Sequence, residues 1–477
     1  MIGYVILGVV VVLLIVMVVR ALMLKPQPIM EIADAPMELN EDKIVQDMVD
    51  MIRCKTISYR DESLEDKSEF EKYRALLQVC FPNIHVNCRF EMVGRNGLLY
   101  FLEGENHDAP SVCMAHYDVV PIEEEGWEKP AFEGIIEDGF IWGRGTLDTK
   151  GTMCGVMEAL EYLLGQGYKP KQDLYLSFSG EEEINGDTCA QIVSHLEAKG
   201  VKPAFVLDEG GAVVENVFPG VKGECAVIGV CEKGSANFEI SLPTSGGHSS
   251  TPPKHTNVGQ LAKAVCAIEN HPFPAKKSQA VAKMFEEMGR HAGFGMKLVL
   301  ANMWLFRPIL AKVSPLIGGE VNALMRTTCA ITMMEGSKTF NVLAPKAKVG
   351  MNLRLMPGDT MESAAEYLRK VIGNDKISVE VVEGSNPSIT SDTNCPQWDK
   401  LKQVIHATWP EAIVSPYTML ACSDSRHYCR ITDKVYRFSA MKLSSAERKM
   451  IHGHNERIPV ETLIKTVEFY VRLLREI

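Results

Sequence analysis

Histidine and acidic side chains occur at five separated points of this sequence, mostly where an apolar run ends. "MAHYDVVP" contains His116 and Asp118, and "GRGTLDTKG" contains Asp148. "LYLSFSGEEEINGD" ends in three consecutive glutamates, "VLDEGG" contains Asp208, and "IHGHNERI" contains His452. Taken singly, a strand-terminal acid is commonly only a helix cap. Together they indicate a ligand site, because such sites in open α/β sheets lie at the carboxyl ends of the strands.

The residue types indicate what this site binds. Several carboxylates that converge in a crevice repel one another unless a strong cation neutralises them. Imidazole and carboxylate ligands without a thiolate suit Zn²⁺, with Mn²⁺ or Co²⁺ as alternatives. A pair of divalent ions makes hydroxide available near neutral pH and polarises a carbonyl group. A further carboxylate that stays unligated would then act as the general base.

The composition bounds the class of protein. The chain has 477 residues, of which 46% are hydrophobic and 23% are charged, so it holds enough material for more than one domain. Its net charge is −11 and it has no basic stripe, which argues against nucleic acid as a partner. The 13 cysteines form no C-x-x-C pair and are interpreted as buried thiols rather than disulfides.

The N-terminus differs from the rest. Ile2 to Val19 is an uncharged apolar run whose 18 residues would span about 27 Å as a helix, close to a bilayer core of roughly 30 Å. A cleaved signal peptide is the alternative, but no lysine or arginine precedes the run. We expect residues 1–24 to be a single-pass membrane anchor and 25–39 a linker or an ordered extension. Arg20 and Lys25 after the run favour the cytoplasmic side for the rest of the chain.

The remaining chain divides into three parts. Apolar strands alternate with helices over residues 40–230 and again over 381–477, which predicts an α/β catalytic domain built from two segments. Residues 231–380 contain segments with the patterns of antiparallel strands and of helices, which predicts an inserted α+β domain. Within it, the region 284–319 is unusually apolar. It could cover the active site, bury a partner subunit or touch the membrane, and the sequence does not decide between these.

The motifs quoted above, with "GGHSSTPP" and in this order, resemble the M20 metallopeptidases, and most of all the carboxypeptidase S and N-fatty-acyl-amino-acid hydrolase group. The resemblance covers about residue 40 to the end. It implies a zinc-peptidase-like catalytic domain with a mostly parallel central sheet. It also implies a ferredoxin-like inserted domain that serves as lid and dimerisation domain.

The resemblance implies a role for each residue of the cluster. Two zinc ions would be bridged by Asp148. The other ligands would be Glu183 and His452 at one ion, and His116 and Asp208 at the other. Asp118 would orient His116. Gly186 sets the register of the glutamates so that Glu182 is the general base, and a slip by one residue, with Glu181 as base and Glu182 as ligand, is the alternative. His452 is preferred to His454 because the family pattern is His-Gly-x-Asn-Glu.

The resemblance also implies that the lid takes part in catalysis. His248 of "GGHSS" would reach the active site of the partner subunit in a homodimer and stabilise the oxyanion. Asn341 and Arg354 would hold the carboxylate of the substrate. Arg354 alternates with leucines in its strand and therefore faces away from them. One departure from the family is Cys422, where relatives usually have a glycine, and it puts the fit of the substrate in doubt.

The expected function is therefore hydrolysis of an amide bond in a peptide or N-acyl amino acid with a free carboxylate, by a carboxypeptidase, dipeptidase or aminoacylase type of enzyme. A membrane-tethered binding or scaffold protein on a decayed peptidase fold is the alternative, since fold alone does not fix function. All expected ligands and the base are present, which disfavours it. An esterase or deacetylase without carboxylate recognition is disfavoured by Asn341 and Arg354.

Overall fold

The computed structural model describes residues 2–33, 35–215 and 220–477. Its helices are α1 (Ile2–Met23), α2 (Glu41–Ile52), α3 (Lys67–Cys80), α4 (Pro82–Asn87), α5 (Lys150–Gly165), α6 (Thr188–Ala198), α7 (Asn257–Asn270), α8 (Gln279–His291), α9 (Phe294–Leu300), α10 (Met303–Ile317), α11 (Gly319–Met325), α12 (Met361–Ile372), α13 (Pro396–Thr408), α14 (Ser445–Arg448) and α15 (Val460–Glu476).

Its strands are β1 (Arg89–Val93), β2 (Gly97–Leu102), β3 (Asn106–His116), β4 (Ile135–Glu137), β5 (Phe140–Trp142), β6 (Gln172–Ser179), β7 (Phe205–Glu215), β8 (Glu224–Glu232), β9 (Gly234–Pro243), β10 (Gly247–His248), β11 (Thr328–Glu335), β12 (Val342–Leu343), β13 (Lys346–Leu355), β14 (Ser378–Ser385), β15 (Ile413–Met419), β16 (Val435–Leu443) and β17 (Arg457–Pro459).

The catalytic domain is built on an eight-stranded sheet with the order β1-β2-β6-β3-β7-β16-β8-β15. The four central strands β6, β3, β7 and β16 run parallel, and β15 runs parallel to β8. The pairs β1–β2, β2–β6 and β16–β8 are antiparallel. The predicted α/β class is confirmed, although the sheet is mixed and its parallel part is concentrated at the centre. This centre brings the carboxyl ends of β3, β6 and β7 to one edge.

The central strands are buried on both faces because helices cover both. Seven of the eight residues of β6 are buried, as expected for a continuous apolar strand between two helical layers. Helix α5 packs against α15 and is itself almost wholly buried. Gly155 makes that approach feasible, since a Cβ there would lie 2.5 Å from the Thr466 side chain. The helix that follows Asp148 is thereby fixed in the core.

The inserted domain is a four-stranded antiparallel sheet with the order β11-β13-β9-β14. With α7 and α12 it has the element sequence β-α-β-β-α-β of a ferredoxin-like fold. Only Lys233 separates β8 of the catalytic sheet from β9 of this domain, which is called the lid below. Strand β14 extends the lid sheet to Ser385, five residues beyond the predicted boundary at 380.

One part of the predicted insert does not pack with the lid sheet. Helix α8 lies against β15, and its side chains Met284 and Met288 belong to the hydrophobic core of the catalytic domain. Leu300 of α9 and Leu324 of α11 join the same core. The apolar region 284–319 is thus attached to the catalytic domain and stands outside the lid.

The N-terminal helix α1 is the one helix of the described residues that is by itself long and apolar enough to cross a membrane. Nearly all of its side chains are exposed, and only Met17 and Ala21 are buried. The described residues between α1 and α2 form no helix or strand, but Ile29, Ile32 and Met37 pack against the core of the large domain. They are therefore an ordered extension along the domain surface.

Candidate active site

Asp148 lies between two histidines that come from distant parts of the chain. Its Oδ1 is 3.0 Å from Nε2 of His116, at the end of β3, and its Oδ2 is 2.9 Å from Nε2 of His452. The His116 side chain is 2% exposed and that of His452 is 52% exposed, so solvent reaches the cluster from the His452 side. One carboxylate thus offers a different oxygen to each side, which is the arrangement of a bridging ligand.

The glutamate run divides its side chains among three directions. Glu181 binds Arg95, at 3.2 Å, and the hydroxyl of Thr188, so it points away from the histidines. Glu183 lies 3.0 Å from Nε2 of His452. Glu182 groups with His116 on the other side. This arrangement favours the register with Glu182 as base over the alternative with Glu181 as base.

Gly186 closes the turn that produces this division. Its N–H donates to the Glu181 carbonyl at 2.8 Å, and the Asn185 N–H donates to the Glu182 carbonyl at 2.8 Å. A Cβ at Gly186 would lie 2.5 Å from the Glu181 Cβ, so a larger residue would open the turn. The glycine that sets the register in the sequence therefore also has a steric reason to be there.

Asp118 is fully buried and ties the histidine to the glutamates. Its carboxylate accepts hydrogen bonds from the backbone N–H groups of Glu182, at 3.2 Å, and Glu183, at 3.1 Å, and from Ser58 Oγ, at 2.7 Å. The backbone carbonyl of Asp118 lies 3.0 Å from Nδ1 of His116. Because a carbonyl only accepts, Nδ1 carries a proton, which leaves Nε2 as the ring nitrogen that faces Asp148.

Asp208 and Glu209 are consecutive residues of β7, and the carboxylate within ion-pair distance of His116 belongs to Glu209. The Asp208 carboxylate is 2% exposed and accepts a hydrogen bond from the Ser425 N–H at 3.0 Å. Glu209 Oε1 lies 3.5 Å from Nε2 of His116. The geometry thus favours Glu209 over Asp208 as the carboxylate next to His116. Side chains of adjacent strand residues point to opposite faces, so the sequence "DE" leaves two choices that a strand boundary decides.

Glu456 is a site residue that the sequence reasoning did not single out. It is completely buried, and its Oε1 accepts from the backbone N–H groups of Leu147, at 2.8 Å, and Asp148, at 3.2 Å. Its Oε2 accepts from Gly145 N–H, at 3.1 Å, and from Arg144 Nη1, at 2.7 Å. It therefore fixes the loop that presents Asp148. Its position in the family pattern His-Gly-x-Asn-Glu was the available signal.

Arg354 lines a cavity of about 840 Å³ that extends along the glutamate turn. It lies on β13, where its neighbours Leu353 and Leu355 are fully buried, and it points to the opposite side as predicted. A second guanidinium, that of Arg426, lines the same cavity and donates to Asn185 at 3.3 Å. Arg426 was also missed, although "SDSRHY" contains it. Cys422 lies 3.7 Å from Arg354 Nη1, at the edge of the cavity.

His248 and Asn341 lie together in the lid. Strands β10 and β12 pair His248 with Val342, and the Ser249 N–H donates to the Asn341 carbonyl at 3.1 Å. The His248 ring is exposed and contacts Ser250. Within the described residues, neither side chain forms a hydrogen bond or ion pair with the histidine and carboxylate cluster.

The cluster has the donor atoms and the charge that divalent metal ions require. Ligand atoms of His116, Asp148 and Glu183 lie within 4.8 Å of one another, and so do those of His116, Glu182 and Glu209. No lysine or arginine in the described part of the chain forms an ion pair with Asp148, Glu183 or Glu209. Burial, together with the charge of Asp148, raises the pKa of Glu209 to about 8. Without a cation the cluster therefore tends to bind protons, so the residues present fit metal ions.

A mixed α/β sheet with such a cluster at its carboxyl edge and an inserted ferredoxin-like lid defines a class of metal-dependent hydrolases. The family model described as peptidase family M20/M25/M40 matches residues 112–476. The chain belongs to this family.

Curated relatives extend the match over most of the chain. The N-fatty-acyl-amino acid synthase/hydrolase PM20D1 of Xenopus tropicalis is 34% identical over 92% of this chain and 86% of its own length. A probable carboxypeptidase S-like 2 of Dictyostelium discoideum is 32% identical over 92% of this chain and 85% of its own length. The predicted family is confirmed, and these relatives belong to the group that the motifs predict.

Solved structures show the same fold at low identity. An M20 family metallo-carboxypeptidase of Sulfolobus solfataricus superposes with a TM-score of 0.65 at 17% identity, covering 91% of this chain and 98% of its own. A dinuclear metal-binding M20 peptidase of Bacillus subtilis superposes with a TM-score of 0.58 at 11% identity, covering 91% and 98%. The protein is a metal-dependent peptidase or amidohydrolase, and the alternative of a decayed scaffold is disfavoured.

Proposed function

We propose that this protein is a di-zinc hydrolase that cleaves the amide bond of peptides or N-acyl amino acids with a free carboxylate. The observation that carries the proposal is Asp148, whose two carboxylate oxygens face His116 and His452 separately, at 3.0 and 2.9 Å. This symmetry suits two ions that share one ligand, and no thiolate is present to favour a softer metal. The names of the relatives agree with both substrate classes.

The ligands follow from the geometry around Asp148. Glu183 and His452 would complete one site, and His116 and Glu209 the other. Glu209 replaces Asp208 in this proposal because the Asp208 carboxylate already accepts the Ser425 N–H. When bound, the ions supply Lewis acidity towards the scissile carbonyl and lower the pKa of water.

Glu182 is the proposed proton carrier. It lies beside His116 without an ion pair of its own in the described residues, and burial raises its pKa well above the usual range. The Glu182 carboxylate would take one proton from the attacking water as the C–O bond forms. It would return that proton to the leaving nitrogen as the C–N bond breaks, which produces a carboxylic acid and a free amino acid.

Arg354 and Arg426 are the proposed carboxylate grip, with Asn341 contributed by the lid. Both guanidinium groups line the cavity beside the glutamate turn, and a guanidinium can hold a carboxylate through two parallel hydrogen bonds. A substrate with a neutral amide in place of its carboxylate would leave these groups without an anion. Free-acid substrates are therefore expected to be preferred.

We also propose that the lid forms a homodimer in which His248 and Asn341 reach the partner's active site. The lid exposes large apolar side chains near these residues, including Phe340, Met333 and Val342, and such a patch indicates an interface. Mixing the inactive variants His248→Ala and Glu182→Ala should restore part of the activity, because a mixed dimer then holds one complete site. If the mixture stays inactive while the dimers exchange subunits, His248 acts within its own chain and the proposal fails.

For localisation we propose a single-pass anchor with the catalytic domain on the cytoplasmic side. Arg20 and Lys25 follow the apolar helix, and all 13 cysteines are free, which suits a reducing compartment.

The main experiment combines metal counting with a substrate screen on the full chain in detergent. Chelation followed by zinc should restore two ions per chain and hydrolysis of N-acyl amino acids or dipeptides, with amidated analogues much slower. Glu209→Ala should lose about one ion per chain, whereas the matched Asp208→Asn should keep both. A chain that binds no metal, or one that hydrolyses amidated and free-acid substrates equally, would contradict the proposal.

A further inference from the structure

Helices α9 and α10 form a bent apolar pair that nothing in the active site uses. Their axes differ by 95°, and together they have the length and apolar composition of a broken or re-entrant membrane segment. Many of their large side chains face outwards, with exposures of 54% for Phe294, 55% for Trp304, 58% for Ile309 and 88% for Leu316. Soluble proteins seldom expose such a continuous apolar patch without an occupant.

The charges on this pair all have one sign. Between residues 292 and 319 the chain contains Lys297, Arg307 and Lys312 and no aspartate or glutamate, although the whole protein carries a net charge of −11. Basic residues interspersed with exposed apolar and aromatic side chains are the composition of segments that lie in the surface of an anionic bilayer.

The pair is also fastened to the C-terminal part of α1. Asn302 Nδ2 donates to the Met17 carbonyl at 3.1 Å, and Arg20 Nε donates to the Ala301 carbonyl at 3.0 Å. Trp304 lines an apolar groove along α1 together with residues that include Val12 and Val16. The bend between α9 and α10 therefore sits directly against the apolar helix.

The length of α1 fixes the depth of this contact. The uncharged run from Ile2 to Val19 spans about 27 Å, and a bilayer core is roughly 30 Å thick. The apolar run is thus no longer than the hydrocarbon core, so nearly all of it must lie inside the core. If α1 spans the bilayer, the hydrocarbon therefore extends at least to Met17. The residues that contact Met17, above all Asn302, then lie at the boundary between hydrocarbon and headgroups.

We propose that α9 and α10 form a second membrane-binding element that inserts into the same leaflet as the C-terminal end of α1. The inference rests on the proposed anchor. Phe294, Trp304, Ile309 and Leu316 would enter the acyl region, and the three basic residues would contact anionic headgroups. Two elements, α1 and the α9–α10 pair, would then hold the catalytic domain against the bilayer. With α1 alone, the domain could change its orientation relative to the membrane.

A second copy of the chain is the competing occupant. The lid already carries a separate exposed apolar patch around Phe340 for that purpose. The α9–α10 patch is instead continuous with α1, whose exposed side chains require lipid if the helix spans a membrane. The position of the patch therefore favours the bilayer.

Trp304 provides a built-in probe. It is the exposed member of the five tryptophans, all of which lie in the described residues; Trp142, Trp398 and Trp409 are buried, and Trp127 is partly buried. The full chain would be placed in nanodiscs of phosphatidylcholine and phosphatidylserine, with and without lipids brominated on the acyl chain. We expect bromine to quench a part of the fluorescence that the matched variant Trp304→Phe lacks.

The outcomes separate this inference from the proposals on which it rests. Extraction by alkaline carbonate reports on the anchor alone, and hydrolysis reports on the enzyme alone. If the protein resists carbonate but the Trp304 fluorescence is not quenched, the second element does not exist although the anchor stands. If carbonate extracts the protein, both membrane proposals fail and the hydrolase proposal is untouched. If Trp304 becomes shielded in lipid-free detergent only as the protein dimerises, a second copy covers the patch and the inference is overturned.

Discussion

Replacing Glu456 by glutamine tests whether one buried carboxylate organises the loop of Asp148. Glu456→Gln keeps the shape of the side chain and removes its charge. The carboxylate accepts hydrogen bonds from the backbone N–H groups of Gly145, Leu147 and Asp148 and from the Arg144 guanidinium. A glutamine amide has only one accepting oxygen, so its NH₂ group would face donors.

The expected loss in the free energy of unfolding depends on Arg144, whose buried guanidinium loses its carboxylate partner. Arg144 and Glu456 have side chains that are 4% and 0% exposed, and removing one partner of a buried ion pair costs about 3–5 kcal/mol. Because the same carboxylate orients the Asp148 backbone, we also expect metal affinity to fall by about 10–100-fold.

The assay is unfolding by urea, followed by tryptophan fluorescence, together with zinc competition by a chelator. The exposed Glu461→Gln serves as the matched control and should change stability by less than about 0.5 kcal/mol. The double variant Glu456→Gln/Arg144→Met should be less damaged than the two single variants predict together, since both buried charges are then gone.

The reasoning would be refuted by a Glu456→Gln protein with the stability and zinc affinity of the original chain. It would also fail if the two substitutions were additive, because additivity would mean that the ion pair contributes nothing beyond its members.

Three further predictions concern chemistry, recognition and packing. Glu182→Ala should keep its metal and lose about 10²–10⁴-fold in kcat; loss of metal would make Glu182 a ligand. Arg354→Met should remove about 1.5–3 kcal/mol of binding free energy for free-acid substrates, which raises their KM roughly 10- to 150-fold. The KM of amidated substrates should stay unchanged. An equal rise for both kinds of substrate would show that Arg354 does not bind the carboxylate. Gly211→Ala should prevent accumulation of folded protein, because its Cβ would lie 1.8 Å from the Val227 carbonyl oxygen. Gly165→Ala should fold normally, because its Cβ would make only an ordinary contact, 3.7 Å from the Asn83 side-chain nitrogen. Normal melting of Gly211→Ala would show that β7 and β8 can separate.

Motif residues were easier to predict than their exact orientation. The apolar strands and the acids that end them identified the sheet edge, because burial on both faces leaves a clear signal in the sequence. Asp208 and Glu209 could not be separated, since a shift of one residue in the strand end reverses which side chain faces the cluster. Glu456 and Arg426 lie within quoted motifs, but their partners Asp148 and Asn185 are distant along the chain, so the motifs did not reveal what these two side chains contact.

The domain boundary shows a second limit of sequence reasoning. The region 284–319 was assigned to the inserted domain because it lies between lid strands. Helix α8 nevertheless packs on β15 of the catalytic sheet, and only the three-dimensional arrangement shows this. The sequence pattern of a helix shows which of its faces is apolar, but it does not show which surface that face packs against.

The split of the catalytic domain into two segments has a consequence for biosynthesis. Arg144 and Glu456 are 312 residues apart, so at about 5–20 residues per second the ribosome needs on the order of 15–60 s to supply the second after the first. During that interval the nascent first segment lacks the carboxylate that pairs with Arg144 and lacks the strands β15 and β16. We expect the emerging polypeptide to depend on chaperones until translation reaches the final helix.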